Sequence, residues 1–166
     1  DMVAAAKRAA SLTRQLLAFS RRETARPEPL DLATVVTNVE RMLRRLIGEH
    51  ITLVTLLQPV SPVLADSNQL EQVLINLLRN AADASLTTKG RVTVGWQRDT
   101  MMEIWVKDEG PGLSSTANLF VPFFTTKPGG SGIGLALSRQ IVEAHGGTLA
   151  VENRADGQGA VCLLYT

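Results

Sequence analysis

Gln69, Gln72, Asn76, Asn80 and Asp83 recur at three- and four-residue steps in and just before the stretch LEQVLINLLRNAADAS, residues 70–85. On a helix that spacing sets them in one line. An ordinary solvated face would carry Lys and Glu, whereas Asn is a poor helix former and here two stand four apart in mid-helix. Two readings are open: a solvated face rich in amides, or a row of neutral oxygens and amides aimed at a ligand.

Three later stretches bear on that choice. Asp108 is followed by Glu-Gly-Pro-Gly. An Asp before Gly and Pro commonly initiates a turn. Glycines at Gly110 and Gly112 also allow close backbone approach to a flat ligand. A carboxylate there could accept from an exocyclic amine such as that of adenine, and would repel the carbonyl guanine presents instead. Residues 113–131 show little periodicity, a length typical of functional lids, and hold Phe120, Phe123, Phe124 and then Thr125-Thr126-Lys127-Pro128-Gly129-Gly130. Two hydroxyls and an ammonium suit phosphate oxygens, although a solvated polar loop has the same composition. The lid runs into Gly130-Ser-Gly-Ile-Gly-Leu, residues 130–135, at a helix start, where exposed N–H groups and the dipole favour an anion. No Gly-x-x-x-x-Gly-Lys-Ser/Thr occurs, Leu137 replaces the third glycine of a dinucleotide fingerprint, and protein-kinase motifs are absent. Any nucleotide site here is of another design.

The elements that must position these residues follow from periodicity. Residues 1–22 read as a helix with a wide apolar row, Ala5, Ala9, Leu12, Leu16 and Phe19. Nothing upstream covers that row, so a partner helix, from a second copy or from a segment cut away, is expected. RRETARPEP, residues 21–29, reads as a linker. Asp31 caps a helix buried through Leu32, Val35, Val36, Val39, Leu43, Leu46 and Ile47 and stopped by Gly48. Strands are expected over 51–57, 63–65, 91–98, from Met102 through Val106, over 148–152 and over 160–165, with Asp99-Thr100 as a hairpin turn. Asp66 and Gln69 fit a capping box for the amide-bearing helix. A third core helix is expected over 132–145, its last residue, His145, a partly charged imidazole on the C-terminal dipole. The mixture predicts an α+β fold: a two-layer sandwich of a mixed β-sheet covered by about three helices, preceded by an N-terminal helix.

Composition sets the outer bounds. The chain has 166 residues, 45% apolar and 20% charged, enough for one sizeable core. Its net charge of +1 implies neither nucleic acid nor an acidic substrate. No apolar run reaches bilayer length and no signal peptide opens the sequence. One cysteine, Cys162, excludes an internal disulfide framework and reads as a buried thiol. A cytoplasmic location is expected, either free or as the cytoplasmic portion of a membrane-anchored sensor, with no membrane contact by this segment.

Asn76 with Asn80, Asp108-x-Gly110-x-Gly112, Phe123-Phe124 and Gly130-x-Gly132-x-Gly134 form an ordered series. It resembles the N box, first glycine box, F box and second glycine box of bacterial sensor histidine kinases, whose ATP-binding domain is shared across the GHKL superfamily. The resemblance covers residues 27–166 as the catalytic domain. Residues 1–26 resemble the second helix of the dimerisation and phosphotransfer hairpin plus its linker. It implies ATP and Mg²⁺ as cofactors, Asn80 as the metal ligand through its amide oxygen, and Asn76 beside the phosphates, both catalytic. Asp108 would fix adenine, with Gly110, Gly112 and Leu113 closing on it. Thr125, Thr126, Lys127, Ser131, Gly132, Ile133, Gly134 and Leu135 would surround the phosphates. Asp83 stands where many relatives carry a basic residue, which makes a water-mediated contact its expected role. Ala160 stands where many have Thr.

Hydrolytic relatives place a Glu at the position of Asn76, so the resemblance implies phosphoryl transfer to a histidine on a hairpin helix absent from this chain, and from there to a response-regulator aspartate. His50 and His145 suit neither acceptor role. Implied partners are the protein's own hairpin, a second protomer and a receiver domain. The alternatives are a degenerate ATP-binding or dimer-scaffold module and an anti-sigma-type serine kinase.

Overall fold

The computed structural model describes residues 2, 3, 6, 10, 13, 25–47 and 50–165. The helix expected over residues 1–22, apart from five exposed helical positions, and the stop at Gly48 lie outside them. In chain order the elements are β1 (Glu28–Leu30), α1 (Leu32–Ile47), β2 (Thr52–Leu56), β3 (Val63–Ala65), α2 (Ser67–Ser85), β4 (Arg91–Arg98), β5 (Met102–Asp108), α3 (Gly134–Ala144), β6 (Thr148–Asn153) and β7 (Ala160–Tyr165).

Five strands form a mixed sheet in the order β2-β4-β5-β7-β6, parallel between β2 and β4 and antiparallel elsewhere. The three helices lie on one face, where Val92, Val94 and Trp96 of β4 alternate inward beside Met102, Ile104 and Val106 of β5. This is the α+β sandwich that the periodicity implied. Val73, Leu74, Leu77 and Leu78 of α2 are at most 2% exposed. At about 1.5–3 kcal/mol for each fully buried side chain, this stripe is a main source of the domain's stability. Trp96 escapes the cost of burying its indole N–H by donating to the carbonyl of Gln58 at 2.8 Å.

The local differences from expectation have physical causes. Glu28 and Pro29, read as linker, begin β1, which pairs antiparallel with β3 in a separate two-stranded ribbon. Proline is tolerated on such a short edge strand. Leu46 is 71% exposed, while its neighbour Ile47 packs against the core. The β4–β5 loop has three residues, closed by the Asp99 N–H donating to the Met101 carbonyl at 3.2 Å. The third helix starts at Gly134 because Gly132, at φ +66°, has left-handed backbone that no helix admits.

Asp66 caps α2 by accepting from the Gln69 N–H at 3.1 Å. Its own N–H donates to Nε2 of His145 at 3.0 Å, and Nδ1 of that ring lies 2.8 Å from the Ile141 carbonyl. The imidazole at this helix end thus joins α3 to the start of α2.

Candidate functional site

The amide line of α2 faces two other elements. Asn76 turns its amide nitrogen to α3, 3.4 Å from the Gly134 carbonyl and 3.4 Å from Ser138 Oγ. One turn on, Asn80 Oδ1 accepts from the Lys127 ammonium at 3.1 Å. The same ammonium bridges to Asp83 Oδ2 at 3.3 Å, so the lid is pinned to α2 by one cation shared between two side chains. Asp83 thus contacts the lid lysine directly. Among the described residues no three His, Cys, Asp or Glu side chains converge as a metal cage.

Asp108 ends β5 and is only 6% exposed. Its Oδ1 accepts from two backbone donors, Gly110 N–H at 2.9 Å and Ala160 N–H at 3.1 Å. That fixes the carboxylate plane and leaves Oδ2 without a protein partner among the described residues. Ala160, which lacks the hydroxyl that Thr would supply, contributes through its backbone. A Cβ at Gly110 would stand 2.7 Å from the Ala84 carbonyl oxygen, and one at Gly159, at φ +115°, would strike the Asp108 carbonyl. Glycine at both places is a condition of bringing β5, β7 and α2 together around this carboxylate.

Sequence reasoning missed the residues that brace this corner. Asn153 Oδ1 accepts from the Leu113 N–H at 2.6 Å, and its amide donates to the Leu113 carbonyl at 3.0 Å, a two-way clasp on the start of the lid. Arg154 donates to the Asp108 carbonyl at 3.0 Å and pairs with Asp156, which raises the guanidinium's affinity for its proton. An Asn-Arg pair where β6 enters a glycine turn was the available signal. It lay more than forty residues from Asp108, and only the β5–β7–β6 order brings it close.

The lid returns to α3 through a backbone bond from Phe123 N–H to the Gly132 carbonyl at 3.0 Å. Thr125 Oγ1 accepts from the Lys127 N–H at 3.1 Å, shaping the turn that carries the lysine. Thr126 and Thr125 are both exposed beside it. Ser131 Oγ stands 3.5 Å from the Ile133 N–H. Ile133 is 1% exposed and Leu135 packs against the core, so at these two positions the backbone alone is available to a ligand. No side chain caps α3, which leaves its first-turn N–H groups without a side-chain acceptor at the cap. Burial lifts the Cys162 thiol to about 12, which removes it from any nucleophilic role.

A model of the histidine kinase-, DNA gyrase B- and HSP90-like ATPases matches residues 65–165, the span from the end of β3 to the end of β7. The chain belongs to this ATPase family. It is 38% identical to the sensor kinase CckA of Brucella abortus, over 96% of this chain and 19% of that protein. To the sensory histidine kinase/phosphatase NtrB of Rhizobium leguminosarum it is 33% identical, over 89% of this chain and 43% of that protein. The chain therefore spans less than half the length of these curated relatives. Among solved structures it is similar to full-length ShkA in complex with AMPPNP, with TM-score 0.83, 26% identity and coverage of 94% of this chain and 35% of that one. The mycobacterial sensor histidine kinase MprB gives TM-score 0.75 and 31% identity, over 84% and 96% of the two chains. The histidine kinase ThkA in complex with the response regulator TrrA gives TM-score 0.81 and 25% identity, over 98% and 48%. The fold is that of a histidine kinase ATPase domain.

Proposed function

We propose that this ATPase domain is the catalytic part of a two-component sensor histidine kinase. It would bind Mg-ATP, deliver the γ-phosphoryl to a histidine on the protein's own hairpin, and so supply a receiver aspartate. The observation that carries the reading is the pairing of a half-saturated, buried Asp108 carboxylate with an Asn80 amide oxygen already holding a cation. Asp108 Oδ2 is the acceptor for the adenine amine, with Gly110, Gly112 and the clasped Leu113 backbone along the base. The uncapped start of α3, from Gly132 to Leu135, with Ser131, Thr125, Thr126 and Lys127, surrounds the phosphates.

Asn80 fits a magnesium ligand because its Oδ1 is a neutral oxygen that accepts an ammonium here. A single amide suits an ion that takes its remaining ligands from phosphate and water. Magnesium would neutralise phosphate charge as it builds during transfer. The chain's own residues then position rather than activate: Asn76 is locked to Gly134 and Ser138, and it offers no carboxylate to deprotonate water. Phosphoryl transfer needs chiefly such placement and charge compensation. The P–O bond to the departing ADP breaks as a P–N bond to the hairpin histidine forms. Neither histidine of this chain suits that acceptor, since His145 has both ring nitrogens in hydrogen bonds and His50 lies exposed in the turn before β2.

Cytoplasmic operation accords with this role, and among the described residues no helix is long and apolar enough to cross a membrane. That several relatives are named sensor kinases, and that ThkA is solved with a response regulator, supports the assignment. Incubation of the chain with γ-labelled ATP and Mg²⁺ tests it. Saturable nucleotide binding without phosphohistidine on His50 or His145 is expected. Phosphohistidine on either, or no nucleotide binding, would overturn the reading.

A further inference from the structure

At the opposite end of α2 and α3 from Asn80, the helices, β3 and the sheet line an open pocket of about 310 Å³. Leu70, ten residues before Asn80 and thus roughly 15 Å away along the helix, forms one wall with Val73, and Ile141 and Val142 of α3 and Met102 and Ile104 of β5 form others. All six are buried members of the core, and each also borders this space. The volume is about that of ten waters at a liquid share of ~30 Å³ each, at the lower end of known small-ligand sites. An apolar wall of this kind favours hydrocarbon over water.

Two polar side chains line it, Arg98 and His145. His145 is spent: Nε2 accepts from Asp66 and Nδ1 lies on the Ile141 carbonyl, so its ring acts as wall. The nearby Asp66 carboxylate is spent as well, accepting from Arg26 N–H at 2.9 Å and Gln69 N–H at 3.1 Å. Arg98, the exposed last residue of β4, has neither an ion pair nor a side-chain hydrogen bond among the described residues. A guanidinium with no acidic partner among the described residues, set at the rim of an apolar pocket, selects an anionic head on an apolar tail.

We propose that this cavity binds a small amphipathic monocarboxylate of roughly ten to twelve non-hydrogen atoms, its chain between α2, α3 and β5 and its carboxylate on Arg98. The site is separate from the nucleotide site and does not depend on the reading of that site. Calorimetric titration with decanoate below its micelle concentration, with decan-1-ol as the uncharged comparison, tests it on the whole chain. Saturable one-to-one binding of decanoate, at least about ten-fold tighter than the alcohol, is expected. Arg98→Gln, at an exposed position, should remove that preference and leave alcohol binding unchanged. Ala65→Phe, which fills the β3 side of the cavity, should abolish binding of both while Mg-ATP affinity persists. No saturable binding, equal binding of acid and alcohol by the unaltered chain, or decanoate binding indifferent to Arg98→Gln would each overturn the proposal.

Discussion

Lys127 Nζ lies 3.1 Å from Asn80 Oδ1, so in this structure a lid ammonium occupies the side of Asn80 that the proposed function gives to magnesium. On the proposed reading the two cations would compete for one oxygen, and nucleotide phosphate would give Lys127 a stronger partner when it leaves. Asn80→Ala should therefore erase the magnesium dependence of ATP binding. The unaltered chain should bind ATP at least about ten-fold tighter with Mg²⁺ than without, a difference of ~1.4 kcal/mol. In the variant the two affinities, measured by calorimetry, should converge.

Asp83→Ala should do far less. Its pair with Lys127 is exposed on both sides, 43% and 41% for the two side chains. Such surface pairs contribute about 0–1 kcal/mol and are screened by salt. Mg-ATP affinity should change by less than about five-fold, and less again at high ionic strength. A hundred-fold loss would mean that Asp83 contacts the nucleotide itself.

Asp108→Asn keeps Oδ1 for the Gly110 and Ala160 N–H groups while replacing Oδ2, the one free acceptor, with an NH₂ donor. ATP affinity should fall about ten- to a hundred-fold, as expected for losing a charge-assisted bond worth roughly 1.5–3 kcal/mol. The melting temperature should move by only a few degrees. Gly159→Ala is the structural counterpart. Its Cβ collides with the Asp108 carbonyl from a left-handed backbone, and a loss of about 1–3 kcal/mol in urea unfolding is expected.

Much of the fold was legible because its signals are local. Alternation marked β4 and β5, and the stripe from Leu70 to Ala81 marked the helix on which the amides ride. Asn76, Asn80, Asp108 and the glycines could be named because their chemistry is unusual for their positions. What escaped was set by tertiary pairing. β1 becomes a strand only because β3 lies beside it, and Leu46 is left exposed although its spacing suits the stripe. His145 is tied down because an N–H from the start of α2, seventy-nine residues away in sequence, meets its Nε2. The clasp of Asn153 on Leu113 likewise depends on strand order, which no single window of sequence displays.

The α2 cap supplies a pH test. The Arg26 N–H and then the Gln69 N–H hold the Asp66 carboxyl below its ordinary 3.8. A folded-state value below the unfolded one gives stability that is present above about pH 4 and is lost as pH falls through the folded value. Asp66→Ala should cost about 1 kcal/mol at neutral pH. The gap between variant and unaltered chain in urea unfolding should shrink as the solution is acidified below pH 4.

Calorimetric titration of the chain with Mg-ATP and, separately, Mg-GTP bears most directly on the nucleotide site. On the proposed reading Asp108 Oδ2 would accept from the adenine amine and repel the guanine carbonyl, so ATP should bind saturably at one site and GTP at least about ten-fold more weakly. Equal affinity for the two nucleotides, or no heat with ATP, would contradict the assignment of this site.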